Sequence, residues 1–160
     1  AGHKSARKDL TPEDNAYLHR RFFRPEPRLA FADLARNLMS SAIDVSDGLH
    51  ADAEHLAKTS AVRLRINLDQ LPFSQSVLRL TSEAERVNAA LYGGDDYELC
   101  FTAETAYRGQ IDAVAASAGL RVTAIGEVEY GSGISLFDRG VAVPANHQRG
   151  FDHFSRVDPR

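Results

Sequence analysis

Ser41-Ala42-Ile43-Asp44-Val45-Ser46-Asp47-Gly48-Leu49 is the stretch on which the reading of this chain turns. Ala42, Ile43 and Val45 form a short apolar run in which Ile43 and Val45 share one face and Asp44 takes the other, as at the end of a buried strand. Asp47-Gly48 then opens a helix, because Leu49, Ala53, Leu56 and Ala57 recur at the i, i+4, i+7, i+8 spacing of an apolar stripe. Two carboxylates and a hydroxyl therefore stand where a strand stops and a helix begins. Such a junction is expected to present free backbone N–H groups and a positive dipole end, both suited to anions. Carboxylates in that position fit Mg²⁺ held against a bound phosphate. The plainer alternative is that Ser46 or Asp47 caps the helix. Capping accounts for one polar residue and leaves Asp44 without a role.

Upstream, Thr11-Pro12-Glu13-Asp14 is a helix start: a capping Thr, Pro at the first helical position and acids in the first turn. That helix is predicted to run to about Arg21, with Arg20, Arg21 and Arg24 as solvated charge at its negative end. Pro25-Glu26-Pro27 breaks the chain. Leu29, Phe31, Leu34, Ala35, Leu38 and Met39 then predict a second amphipathic helix over 28–39.

Downstream, Val62, Leu64, Ile66 and Leu68 alternate with Arg63, Arg65 and Asn67, the signature of a half-buried strand with one wet face. Ser74 or Ser76 starts a short helical turn. Thr81-Ser82-Glu83-Ala84-Glu85 opens a helix that Gly93-Gly94 ends. Asp95-Asp96 follows, a second pair of acids at a strand edge, with Tyr97, Leu99 and Phe101 alternating after it. A polar turn is the alternative for these two acids. Cys100 reads as a small buried hydrophobe. A helix over 105–118, a strand over 122–128 and a hairpin around Asp138-Arg139-Gly140 complete the order. The terminal Gly150-Phe151-Asp152-His153-Phe154 either packs back on the body or stacks on a ligand.

This order predicts an α+β fold: a two-layer α/β sandwich with one mixed sheet covered by helices on one face, leaving the other face for a further domain. The 160 residues, 43% hydrophobic and 26% charged, fit a single globular domain with its own core. A net charge of −3 and a pI near 6.1 give no electrostatic case for nucleic acid or an anionic membrane surface. A single cysteine excludes an internal disulfide and fits a cytoplasmic, reducing compartment. No stretch is apolar and long enough to span a bilayer. Lysine occurs only at Lys4, Lys8 and Lys58, and no Walker-type phosphate loop is present. The six histidines do not fall at zinc spacing. What remains is oxygen-donor chemistry at strand ends: Asp44, Ser46, Asp47, Asp95 and Asp96, hard ligands that suit Mg²⁺ and hence phosphates.

These residues carry a resemblance. SSAIDVSDGL, then GGDDYELCFT some forty residues on, then IGEV and a terminal GFDHF, resemble the C-terminal half of bacterial thiamine-monophosphate kinase, a relative of aminoimidazole ribonucleotide synthetase. The resemblance implies the C-terminal-domain fold of that synthetase family. It implies ATP-dependent phosphorylation of thiamine monophosphate to thiamine diphosphate by direct, Mg²⁺-assisted in-line transfer. It further implies Asp44 and Asp47 as Mg²⁺ ligands, Ser46 as an ATP contact, and Asp95 and Phe151 as contacts to the thiamine substrate. The family usually has Glu where this chain has Asp95, so water or Asp96 completes that contact. Residues 1–160 then correspond to a single domain without the family's N-terminal ATP/Mg-binding and dimerisation domain. The full-length enzyme is expected to be a homodimer, and this chain to fold but to have little activity alone. Two other readings compete: a non-catalytic nucleotide- or phosphate-binding scaffold of the same fold, and a phosphatase with Asp44 as nucleophile.

Overall fold

A computed structural model describes residues 10–144. Phe151 and the terminal aromatic segment therefore lie outside the described residues. Helix α1 (Pro12–Phe23) begins as its sequence requires: the Thr11 hydroxyl accepts from the Asp14 amide at 3.1 Å, and Pro12 holds the first helical position. Asp14 is only 1% exposed and is also bonded by Arg79, in a later helix over Gln75–Leu80, so a first-turn acid fastens α1 to the body. A hydrogen bond from Ser76 holds the Asp14 carboxyl below its usual range; burial opposes this, while Thr11 and Arg79 reinforce it.

Helix α2 (Leu29–Ala35) is shorter than its periodicity predicts. It tightens into a 3₁₀ turn over Arg36–Leu38, and Met39 is extended, because the chain must enter strand β1 (Ser41–Val45) directly afterwards. Helix α3 (Leu49–Thr59) buries the stripe read from sequence, Leu49, Ala53, Leu56 and Ala57. Strand β2 (Arg63–Asn67) follows with Leu64 and Ile66 inward. Helix α4 (Gln75–Leu80) is capped by Ser74. Helix α5 (Glu83–Tyr92) carries a full capping box between Ser82 and Glu85. Strand β3 (Glu98–Thr102), helix α6 (Arg108–Ser117) and strands β4 (Gly126–Glu129), β5 (Gly133–Asp138) and β6 (Val141–Val143) complete the order.

The architecture is α+β and its main sheet is mixed, as read from sequence. Its strand order is β4-β2-β5-β6, with β2 and β5 parallel and the other pairs antiparallel. One refinement is that β1 and β3 form a separate antiparallel ladder. Helix α3 touches both this ladder and the four-stranded sheet. Ala53 and Ala57, both 0% exposed, let backbones approach closely there. Val45, Leu64, Ile66, Leu91 and Leu136 close the resulting core. A second cluster, Phe31, Ala35, Ile111 and Ala115, joins α2 and α6 over Leu99 and Phe101. The β1–β3 ladder thus has a core on each face.

The opposite face of the main sheet carries the polar partners of the alternation, with the Arg65 guanidinium 4.1 Å over the Phe137 ring. The strand predicted over 122–128 pairs only from Gly126. Ile125 still accepts from the Asn67 amide at 2.8 Å and packs on the core. The first paired residue must be glycine, because a Cβ there would lie 1.9 Å from the Arg65 carbonyl oxygen.

Candidate functional site

Backbone pairing brings the two acidic motifs together. The β1–β3 ladder runs past its last strand residues: the Tyr97 amide donates to Val45 O, and the Asp95 amide to Ser46 O, both at 2.8 Å. Gly94 lies so close to the Ser46 carbonyl that a Cβ would meet it at 2.5 Å. Ser46-Asp47 and Gly94-Asp95-Asp96 are therefore neighbours, although some fifty residues separate them in the chain. Asp95 and Tyr97 take left-handed backbone angles, φ 67° and 50°. An aspartate tolerates that region; a tyrosine there is strained by about 1–3 kcal/mol and needs surroundings that hold it.

The strand–helix junction differs from expectation in one respect. Its amides are not free. The buried Asp52 carboxylate, in the first turn of α3, accepts from the Ser46 amide at 2.9 Å and the Asp47 amide at 3.0 Å. Neither Ser46 nor Asp47 caps the helix; the cap position is Gly48, with no side-chain cap. An internal carboxylate thus already complements the dipole end, and the Ser46 hydroxyl and the carboxylates of Asp44 and Asp47 have no helix-capping duty. Asp52 was missed in the sequence, although an acid on the buried stripe beside Leu49, Ala53 and Leu56 is a legible signal. Replacing Asp52 by alanine is expected to cost about 2–3 kcal/mol, since two amides lose a charged acceptor. Urea unfolding measures this, and a loss under about 0.5 kcal/mol would show that water takes over the role.

Asp44 and Asp47 are exposed, and neither forms an ion pair among the described residues. Two exposed, cation-free carboxylates of this kind are hard oxygen donors, and Mg²⁺ is commonly held by one or two carboxylates together with water and phosphate oxygens. The donor set fits Mg²⁺ in chemistry and is incomplete in number. Among the described residues no three His, Cys, Asp or Glu side chains converge on one point.

Asp95 and Asp96 face elsewhere, into an open depression of about 510 Å³ between their loop and the end of α1, where Arg21, Phe22 and Phe23 form the other wall. Asp44 and Asp47 do not line it. Phe22 and Phe23 are 66% and 63% exposed and meet edge to face at 4.9 Å. Sequence reading missed this aromatic wall and took Arg21 for solvated charge. Arg21 instead bonds the carboxylate of Glu98, to which Arg28 also donates. Although Asp96 is exposed as a residue, partial enclosure of its carboxyl raises its pKa; Arg21 opposes, and Glu98 and Asp95 add to the rise. Burial raises the Glu98 carboxyl, but the Arg28 and Arg21 contacts outweigh it and leave the group below its usual range. Burial, with Asp52 nearby, pushes the Cys100 thiol up to about 11, which suits a packed hydrophobe and not a nucleophile.

Residues 2–139 match the family described as AIR synthase related protein, C-terminal domain. The chain belongs to this family. Among curated relatives of this AIR synthase related domain, thiamine-monophosphate kinase of Salmonella typhimurium is 36% identical over 143 residues, covering 89% of this chain and 44% of the relative. That of Escherichia coli K12 is 38% identical over 144 residues, with coverage of 89% and 44%. The resemblance read from the two acidic motifs therefore holds. Among solved structures, thiamine-monophosphate kinase from Stenotrophomonas maltophilia K279a superposes with a TM-score of 0.77 at 37% identity, over 85% of this chain and 42% of that one. AaThiL complexed with AMPPCP and TMP superposes with a TM-score of 0.68 at 31% identity, over 92% and 44%. The AIR synthase related domain thus spans less than half the length of the relatives it matches. Among its described residues no helix is long and apolar enough to cross a membrane.

Proposed function

We propose that this chain supplies the C-terminal part of a cytoplasmic thiamine-monophosphate kinase, which transfers the ATP γ-phosphoryl directly to thiamine monophosphate and yields thiamine diphosphate. The observation that supports this reading is the 2.8 Å bond from the Asp95 amide to Ser46 O, which joins the loop assigned here to the nucleotide to the loop assigned here to the substrate. In-line transfer needs little covalent help and much positioning, and two rigidly joined loops supply positioning. Asp44 and Asp47 would hold Mg²⁺, which when bound neutralises charge on the phosphate oxygens. Ser46 offers its hydroxyl to the nucleotide. Asp95 orients thiamine monophosphate, with Asp96 beside it, and Phe151 lies against that substrate in this reading.

The relatives' greater length supports a division of labour, in which an N-terminal domain brings the remaining Mg²⁺-binding acids and a homodimer interface. The absence of a three-acid cluster among the described residues agrees with that, and is also what favours the second reading, a non-catalytic phosphate-binding scaffold. A coupled assay with ATP, Mg²⁺ and thiamine monophosphate, run beside a full-length relative, tests the division. The chain alone is expected to turn over at less than about a hundredth of the relative's rate while still binding Mg·AMPPCP in calorimetry. Turnover equal to the relative's would remove the need for a second domain; absence of any nucleotide binding would leave only the scaffold.

A further inference from the structure

Glu98 opens β3 immediately after the Asp95–Tyr97 loop, and its carboxylate is shared by two arginines. Arg28 donates from Nε at 2.9 Å and from Nη2 at 2.8 Å, a fork on both oxygens, and Arg21 donates from Nη2. Arg21 belongs to the last turn of α1, and Arg28 is the residue before α2. One carboxylate therefore ties both helix ends, and the stiff Pro25-Glu26-Pro27 link between them, to the start of β3. The Arg28 side chain is only 18% exposed, and a two-pronged guanidinium–carboxylate pair fixes direction as well as distance. Between this clamp and the Ser46 and Val45 carbonyls lie Asp95 and Tyr97, both at left-handed angles. Aspartate tolerates that region, but a tyrosine persists there only when the surrounding structure holds it. Arg21 also forms, with Phe22 and Phe23, the wall of the depression that Asp95 and Asp96 face.

We propose that Glu98, gripped by Arg28 and Arg21, is a positioning residue that holds the Asp95–Tyr97 loop in its left-handed form and so presents Asp95 and Asp96 to the depression beside Phe22 and Phe23. The effect on the loop stands by itself; the effect on a ligand rests on the kinase reading above.

Glu98→Gln keeps the shape and removes the charge, whereas Arg28→Lys keeps the charge and removes the fork. Both variants, and their combination, are compared with the parent chain in two measurements. The first is amide hydrogen exchange without ligand. Exchange at Asp95 and Tyr97 is expected to quicken at least tenfold in each single variant. Exchange at Ser40, which donates to Thr102 O at the far end of the same ladder, should change less than twofold. The double variant should be within twofold of the worse single one, as for two residues acting as one unit. Uniform quickening along the ladder, or none at Asp95 and Tyr97, overturns the proposal.

The second measurement is calorimetric titration with thiamine monophosphate and, separately, Mg·AMPPCP. Thiamine monophosphate affinity should fall at least tenfold in Glu98→Gln, and Mg·AMPPCP affinity should stay within twofold. Equal weakening of both ligands overturns the positioning role. Quickened exchange in the variants, with a parent chain that takes up no thiamine monophosphate, would uphold the clamp and defeat the kinase reading instead.

Discussion

The double variant Asp44→Ala, Asp47→Ala is expected to lose at least about 100-fold in affinity for Mg·AMPPCP, close to 2.8 kcal/mol, while its urea midpoint stays the same or rises. The two halves of that result have one origin. Both side chains are exposed and neither is paired with a cation among the described residues, so their removal breaks no contact that stabilises the fold. Asp44 and Asp47 are themselves only three residues apart at one strand end, so deleting both relieves what repulsion two like charges exert there. With AMPPCP and no Mg²⁺, the variant should bind as well as the parent or better, since the carboxylates repel a bare triphosphate. Calorimetry with and without the metal separates the cases. Equal loss in both would mean that the acids act on the nucleotide without a metal. No loss in either would remove Asp44 and Asp47 from the site.

A methyl group at position 48 is predicted to be the most damaging single addition at the junction. Gly48 has φ +100° and ψ 146°, a region almost closed to residues with a side chain. A Cβ there would lie 2.8 Å from Leu91 O, 3.0 Å from Gly93 O and 3.1 Å from the Tyr92 carbonyl carbon. All three are backbone atoms at the end of α5, so no rotamer change relieves the crowding. Gly48→Ala is expected to cost about 3 kcal/mol or more in urea unfolding, from backbone strain and forced separation of α3 from α5. Gly109→Ala is the matched comparison. It sits in α6 with nothing within 4 Å of the added Cβ and should stabilise by up to about 1 kcal/mol. Similar effects from the two changes would mean that α5 yields easily and that the junction is softer than its packing implies.

Loss at Gly48 and loss at Asp44 with Asp47 differ in kind, although the residues are neighbours. The first removes a geometry on which α3, β1 and α5 all depend. The second removes charge that the fold does not use. Asp52 stands between them: it is buried and structural, and it carries the loop that bears Ser46 and Asp47.

Several local features are legible in the sequence, although the junction cap and Asp52 are not among them. The Thr11 cap, the helix start at Thr81–Glu85, the Leu49–Ala57 stripe and the hairpin at Arg139-Gly140 all depend on residues within a few positions of one another, and short-range sterics and hydrogen bonding act at that range. The end of α2 was overestimated because the turn into β1 competes with helical periodicity and prevails. The strand before Gly126 was overestimated because alternation reports burial, whereas pairing requires a neighbour.

From sequence alone came the strand–acid–helix unit, the second acidic loop and the kind of ion such oxygens suit, because residue type and spacing determine them. The tertiary structure alone decided that Ser46 meets Asp95, that Asp52 occupies the junction amides, and that Arg21 and Arg28 close on Glu98. Those contacts are made where α3 packs on the ladder and where the end of α1 and the start of α2 meet the start of β3. Between groups 70 or 77 residues apart, no periodicity in the chain records which carboxylate a guanidinium will find.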